Sequence, residues 1–398
     1  MLNKSQKINE LLCRGVEKVI IQKNLAKRLK KGEVLRVKHG VDPTGPKIHL
    51  GRATQFWKLK AFQELGHKII LIIGDFTAQI GDASDKQSKR QILTPEQIEE
   101  NMKNYLPQIG EILDLEKVET HHNSEWLSKL SAQKLLNLAM HFTAQQMIQR
   151  HNFKDRWEQN KPIGLHETYY PLLQAYDSVA VKADLELGGS DQLFNLKIGR
   201  KMQEFFGQKP QEIMTLKMLN GLDDRKMSTS WGNVINITDS PQEMFGKIMS
   251  MKDEMIFEYF ELCTQIDVEE LKAIQESLQE NTVNPRDLKA KLGRILVETY
   301  YNEKASLEAE KEFGLIFQQG KVPTKIPVYK TKEKKYNILD LLMQTKLAQS
   351  KSAGKRLIQQ KGIRINEEVL QNWQEYVILK NNDILQVGKR KFIQIIIQ

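Results

Sequence analysis

The chain has 398 residues, with 60 Lys and Arg against 50 Asp and Glu, a formal net charge of +10. That length suits about two to three domains with a sizeable core, so disulfide or metal staples are not needed. With 40% hydrophobic and 28% charged residues, wholesale disorder is excluded. Cys13 and Cys263 stand far apart with no CxxC pair, which disfavours a disulfide framework and a cysteine zinc site and points to a reducing cytosol. No apolar run reaches the roughly 18 residues that cross a bilayer.

In chain order, residues 1–32 place Leu11, Leu12, Val16 and Ile20 at helical spacing among many charges. This reads as an amphipathic helix packed on the core, without the apolar stretch of a signal peptide. Residues 34–41, VLRVKHGV, read as a strand that runs into DPTGPKIHLGRA, where Pro43, Gly45 and Pro46 enforce a turn. A helix begins near His49, and Ala53, Phe56, Trp57 and Leu59 keep its period. Gly66 breaks it before KIILIIGD, an apolar strand suited to burial on both faces of a parallel sheet. Strand, crossover helix and strand make a βαβ unit, so the expected fold is a Rossmann-like, doubly wound α/β domain.

Residues 95–160 read as a helical insertion on that sheet, and residues 165–230 return to mixed structure around ELGGSDQ. From Pro241 to Phe317 the pattern is helical, with Ser240 and Asn284 capping before Pro241 and Pro285. GKVPTKIPVYK, residues 320–330, reads as a stiffened linker, and the rest as a compact α+β unit of helices followed by short strands. The expected domains are therefore 1–230, α/β with the helical insertion; 231–320, α-helical; 321–334, linker; and 335–398, the small C-terminal unit.

The charge is unevenly spread. Residues 330–398 hold fourteen Lys and Arg and six Asp and Glu, +8, while the rest carries 46 against 44, only +2. Clustered positive charge in a small ordered unit points to a nucleic acid backbone.

Two constellations carry chemistry in the body. Asp42-Pro-Thr44-Gly-Pro-Lys-Ile-His49-Leu-Gly51-Arg52 lies between a strand and a helix, where a doubly wound fold places its ligand. Gly51 allows close approach to the backbone, and Thr44 and His49 are placed to meet phosphate near the positive end of the helix dipole. The glycine spacing is neither GxGxxG nor a P-loop. Arg225-Lys226-Met227-Ser228-Thr229-Ser230 is a small cationic loop able to close over a triphosphate and neutralise a leaving pyrophosphate.

An HxGH-like motif followed by KMSxS resembles the paired signature of the class I aminoacyl-tRNA synthetases. Between them stand Thr77-Ala-Gln-Ile-Gly-Asp82, Tyr170-Pro-Leu-Leu-Gln174-Ala-Tyr-Asp177 and Gly188-Gly-Ser-Asp191-Gln192. With Gly40-Val-Asp42-Pro-Thr44 these resemble the tyrosyl branch over essentially the whole chain. The C-terminal unit is similar to the small RNA-binding domain of a ribosomal protein that bacterial and organellar tyrosyl enzymes carry.

The resemblance implies ATP-dependent activation of tyrosine to an adenylate, with magnesium carried by the nucleotide and no permanent cofactor or resident metal, then transfer to tRNA(Tyr). It implies a cytoplasmic homodimer joined through the helical insertion. It assigns Thr44, His49, Arg52, Lys86, Arg90 and Lys226 to phosphate chemistry, and Asp42, Gly51, Asp191, Lys226 and Thr229 to ATP. Asp82, Tyr170 and Gln174 match the tyrosine ammonium site, Asp177 the phenol acceptor, and Gln192 lies in the same loop. Lys351, Lys355, Arg356, Arg364, Lys389 and Arg390 are the tRNA-facing cations, and the 231–320 region would approach the anticodon.

Three positions depart from the family pattern. Arg52 stands for the second histidine of HxGH, and Thr229 for the second lysine of KMSKS, leaving Lys226 and Arg225 to supply more of the neutralisation. Lys38 stands where one branch has a tyrosine contacting the substrate hydroxyl. Two other readings are open on sequence: a tryptophan-specific ligase, and a non-catalytic RNA-binding protein on a synthetase scaffold.

Overall fold

The computed structural model describes residues 3–82, 93–318, 327–388 and 391–398. Its central sheet has six strands: β1 (Val16–Ile20), β2 (Arg36–Val41), β3 (Lys68–Ile73), β4 (Val118–His122), β5 (Leu185–Gly189) and β6 (Glu212–Leu216). Their order is β1-β6-β5-β2-β3-β4. All neighbours are parallel except β1, which is antiparallel to β6. β5 and β6 are buried throughout, and β3 is buried after Lys68, as strands covered on both faces must be. From β2 the chain lays β3 and β4 on one side; β5 and β6 lie on the other. The doubly wound α/β fold read from the sequence is therefore present, with its topological switch point between β2 and β5.

The N-terminal segment is not the single helix that its spacing suggests. A helix over Lys4–Cys13 stops before Gly15, whose φ of +63° belongs to the left-handed region. β1 follows, pairing Val16 with Leu216 and Ile20 with Ile213, and a second helix covers Gln22–Lys31. Leu11 and Leu12 face the core as expected. Val16, Val19 and Ile20, however, are β-branched and find an open sheet edge, and that pairing decides their conformation.

The stretch 95–160 is not wholly helical either, because β4 lies inside it and forms the far edge of the sheet against β3. Its sequence, VETHH, has one apolar residue and needs no second buried face at an edge. Helices Ala132–Ala139, Ala144–Ile148 and His151–Glu158 follow. Leu138 and Met147 from this segment pack with Leu172, Ala175 and Val179 of the helix Leu165–Ala180.

The chain divides into two compact units. One contains Met1–Ser240 with Lys247–Tyr300, and the other Pro241–Gly246 with Tyr301–Gln398. In the second, β7 (Val328–Thr331) runs parallel to the last strand, so the end of the stretch read as linker is sheet. The remaining strands are β8 (Lys335–Asn337), β9 (Ile363–Ile365), β10 (Glu368–Val369), β11 (Tyr376–Ile378), β12 (Ile384–Val387) and β13 (Lys391–Ile397). A five-stranded sheet of order β10-β9-β12-β13-β7 packs with helices Ile338–Gln344 and Lys351–Gln359 over Leu341, Leu342, Ile358, Ile363 and Leu385.

Gly15 is the joint between the first helix and β1. A Cβ there would stand 2.8 Å from Leu262 Cδ2 as well as in a strained φ. Gly15→Ala should therefore lower unfolding free energy by about 1–2 kcal/mol from the backbone alone, read from urea denaturation.

Candidate active site

Side chains converge where β2 and β5 end. β2 runs out at Val41 into Asp42, Pro43 and Thr44. Gly74, just beyond β3, must lack a side chain, since a Cβ there would lie 2.0 Å from Asp42 Oδ1. His49 stands at the N-cap position of the helix Leu50–Glu64 without a side-chain capping bond. β5 ends at Gly189 and turns through Ser190–Gln192. The helix Leu165–Ala180 crosses above and presents Tyr170, Gln174 and Asp177, spaced four and three residues apart, on one face. These elements and the loop at Lys226 enclose a cavity of about 540 Å³. Apart from Arg225, every described residue that the sequence assigned to ATP, phosphate or tyrosine lines it. Lys86 and Arg90 lie outside the described residues.

Two hydrogen-bonded chains order the cavity wall. In the first, Tyr170 Oη donates to Asp42 Oδ2 at 2.9 Å and Thr77 Oγ1 donates to Asp42 Oδ1 at 2.9 Å. Asn123 Nδ2 donates to Thr77 Oγ1 at 3.0 Å and reaches Asp177 Oδ2 at 3.4 Å, while Trp126 Nε1 donates to Asp177 Oδ1 at 2.8 Å. In the second, Gln192 Nε2 donates to Asp82 Oδ2 at 2.8 Å, and Arg150 pairs with Asp82 Oδ1. Asn195 Nδ2 donates to both Gln192 Oε1, 3.0 Å, and Gln174 Oε1, 2.8 Å.

The opposite end is cationic. Arg52 Nη2 donates to Thr44 Oγ1 at 2.8 Å, and Nη1 bonds the Tyr105 hydroxyl. Lys226 Nζ pairs with Asp191 Oδ2 at 2.8 Å. Met227 is buried and its sulfur accepts from the Gly51 N–H at 3.4 Å, so the second motif is seated on the helix start of the first. Burial, then the charges of Arg52 and Lys226, press the His49 ring down to about 3, so it is neutral at physiological pH. Its Nδ1 has no hydrogen-bond partner among the described residues.

The family model described as "tRNA synthetases class I (W and Y)" matches residues 30–318, and one described as "Tyrosine--tRNA ligase SYY-like C-terminal domain" matches 317–395. The tyrosine–tRNA ligase of Moorella thermoacetica is 44% identical, covering 97% of this chain and 94% of its own length. That of Thermotoga maritima is 43% identical, covering 97% and 96%. The chain belongs to the tyrosine–tRNA ligase family of class I tRNA synthetases. The fold agrees: the tyrosyl-tRNA synthetase of Archaeoglobus fulgidus, solved with L-tyrosine, superposes with a TM-score of 0.63 at 24% identity over 77% of this chain and all of the other. That of Aeropyrum pernix gives 0.64 at 17% identity over 80% of this chain.

In this synthetase neither Arg225 nor Lys38 is part of the cavity lining. Arg225 does not line the cavity: it is exposed, bonded to Asp223, with its guanidinium 4.3 Å from the Trp231 ring centre. Lys38 does not face the cavity either. It is fully buried and bonded to Glu186, Ser178 and the Gln174 carbonyl. Thr77 stands in a segment that carries the resemblance but with no role read for it, and Trp126, Asn123 and Arg150 are not legible in the sequence. Asn123 and Trp126 follow a polar strand, Trp126 in a short helix over Ser124–Leu127, with no local pattern, and Arg150 is one of many basic residues in the helical stretch.

In the C-terminal unit, Arg356 and Arg364 are exposed, Lys351 pairs with Asp340 at 2.6 Å, and Lys355 Nζ lies 4.0 Å from the Trp373 ring centre. Lys389 and Arg390 lie outside the described residues. Among the described residues no group of three or more His, Cys, Asp or Glu is arranged for a metal, and no helix is long and apolar enough to cross a membrane.

Asp177 is the electrostatic outlier. Burial pushes its carboxyl from 3.8 up to about 7; the Lys38 charge and the bonds from Trp126 and Asn123 oppose that rise, and Glu186 adds to it. A carboxyl raised on folding contributes stability that is full below 3.8 and lost as pH climbs through about 7. Asp177→Asn should therefore gain melting temperature relative to the parent as pH increases. The difference between them should be larger at about pH 8 than at about pH 5, and an equal difference at both would contradict the buried titration.

Proposed function

We propose that this chain joins tyrosine to ATP, forming tyrosyl-adenylate and pyrophosphate, and then passes tyrosine to the terminal ribose of tRNA(Tyr). The observation that carries this reading is the pairing of an acceptor-rich end with a cationic end in one cavity. Tyr170, Gln174 and Asp177 share a helix face on one side, and Thr44, His49, Arg52 and Lys226 stand on the other. The names of the relatives support it.

Tyrosine enters with its ammonium toward Asp82, Tyr170 and Gln174, and Gln192 beside them. Three donors on the cation meet acceptor oxygens there. The phenol reaches Asp177, whose bonds from Trp126 and Asn123 hold the carboxyl group still. Phenylalanine offers no hydroxyl for the remaining acceptor capacity of that buried carboxyl group, which is where selectivity arises.

ATP enters as its magnesium complex, with the adenosine against Gly51 and the ribose hydroxyls on Asp191. The carboxylate attacks the α-phosphorus, and pyrophosphate leaves. Arg52 and Thr44 already share a bond that points both at the cavity. Lys226 must exchange its Asp191 partner for the leaving pyrophosphate, so the ion pair is the resting position of the closing loop. With Thr229 in place of a lysine and Arg225 turned away, Lys226 bears this task with Lys86 and Arg90. Asp42, also at the ATP side of the cavity, anchors Tyr170 and Thr77.

The unit at 335–398 holds tRNA through its cationic surface, and the 231–320 region approaches the anticodon. The working form is a cytoplasmic homodimer joined through the helical insertion. Leu136, Met140 and Trp157 are exposed there, with Leu165, Phe205 and Phe206 in the same unit.

Tyrosine-dependent exchange of labelled pyrophosphate into ATP tests the reading. Exchange with tryptophan and none with tyrosine overturns it. Asp177→Ala should abolish tyrosine binding or its discrimination from phenylalanine. Lys226→Ala should lower the exchange kcat by about 10²–10³-fold, the scale for removing one transition-state charge partner. Deleting residues 330–398 should spare exchange and weaken tRNA charging. Charging by the full chain should also fall more steeply with added salt than charging by the truncated chain.

A further inference from the structure

Lys38 and Glu186 face each other across the β2–β5 seam as register partners, both almost completely buried. An ion pair is a costly way to hold two strands, since two charges leave water. The pair beside it, Val37 and Leu185, does the same with apolar side chains. What distinguishes Lys38 and Glu186 is what they reach in the helix Leu165–Ala180.

Lys38 Nζ spends its three protons on Glu186 Oε1 at 2.8 Å, Ser178 Oγ at 2.8 Å and the Gln174 carbonyl at 3.0 Å. Glu186 Oε1 also accepts from Gln174 Nε2 at 3.2 Å, and Oε2 accepts from Ser178 Oγ at 3.0 Å and from Gln211 Nε2. The network grips one turn of the helix, at Gln174 and Ser178, on either side of Asp177.

A carboxylate can only accept, so it dictates which end of the Gln174 amide faces it. The nitrogen must point to Glu186, and the oxygen is left for Asn195 Nδ2 and the cavity. Asn195 in turn sets Gln192 Oε1 as acceptor and leaves Gln192 Nε2 for Asp82. A reversed Gln174 amide would turn its donors toward an ammonium group.

We infer that Lys38 and Glu186 are positioning residues for tyrosine, fixing the acceptor sense of Gln174 and the turn that carries Asp177. Lys38 supplies the charge that compensates the buried carboxylate. The inference rests on reading this cavity end as the tyrosine site.

The test is the double variant Lys38→Met, Glu186→Gln. It removes both charges together, so neither is stranded, and Gln at 186 can donate as well as accept, so it no longer dictates the amide. In pyrophosphate exchange the tyrosine KM should rise about 10-fold while the ATP KM stays within about twofold, the split expected when binding of one substrate alone is impaired. A folded double variant with tyrosine KM within about twofold of the parent overturns the inference, as does a parallel rise in both KM values. Should that variant not fold, Ser178→Ala removes only the hydroxyl that bridges the two ions. It should raise tyrosine KM about 3-fold, and an unchanged value overturns the inference equally. A parent protein without tyrosine-dependent exchange would instead overturn the functional reading itself.

Discussion

The seam between β2 and β5 is the constraint on which the site depends. These two strands are parallel neighbours whose connections leave to opposite sides, so neither strand's own connection covers the space between their carboxyl ends. The gap opens a crevice bordered by two loops, Asp42–Thr44 after β2 and Ser190–Gln192 after β5. The helix Leu165–Ala180 closes it from above and the Lys226 loop from the side. Close packing around the crevice forces the glycines: Gly74, beyond β3, makes room for Asp42, and at Gly189 a Cβ would lie 2.6 Å from Asp191 Oδ1.

That architecture sets the electrostatics. The floor of the cavity is dry enough to raise Asp177 to about 7 and to keep His49 neutral. Polar groups in such a place must be bonded to one another, and here they form two ordered chains rather than scattered pairs. One runs from Tyr170 through Asp42, Thr77 and Asn123 to Asp177. The other runs from Lys38 and Glu186 through Gln174, Asn195 and Gln192 to Asp82. Gln174 and Gln192 in the second chain have their donor and acceptor ends assigned by the charged groups at its termini, and Asn195 turns its donor end to both. The wall is therefore preorganised before any ligand arrives, which avoids reorganisation during reaction.

Much of this was legible. KIILIIGD is apolar enough to be a two-faced strand anywhere, and DPTGP cannot be anything but a turn. The motifs at His49 and Lys226 carry their own spacing, and the four-and-three spacing of Tyr170, Gln174 and Asp177 places them on one helix face by geometry alone. β1 was not legible, because Val16 and Ile20 fit a helical spacing as well as a strand, and only the edge offered by β6 chooses. β4 was hidden for the opposite reason: VETHH owes its strand to backbone pairing with β3, which leaves no side-chain signature. Trp126 and Asn123 follow β4 and were lost with it. Lys38 was visible as a departure, but whether it faced ligand or core depended on Glu186, 148 residues away.

By itself, then, the sequence determined the class of fold, the family, the chemical types at each end of the site and the concentration of +8 in the last 69 residues, from 330 to 398. These are local or additive properties: periodicity, turn chemistry, motif spacing and charge count. Tertiary structure alone decided which polar group faces which. Hydrogen-bond sense, the pairing of Lys226 with Asp191, the withdrawal of Arg225 and the burial of Lys38 all depend on groups distant in sequence. The physical reason is that a buried donor or acceptor is defined by its partner, and the partner arrives only when the sheet and helices close around it.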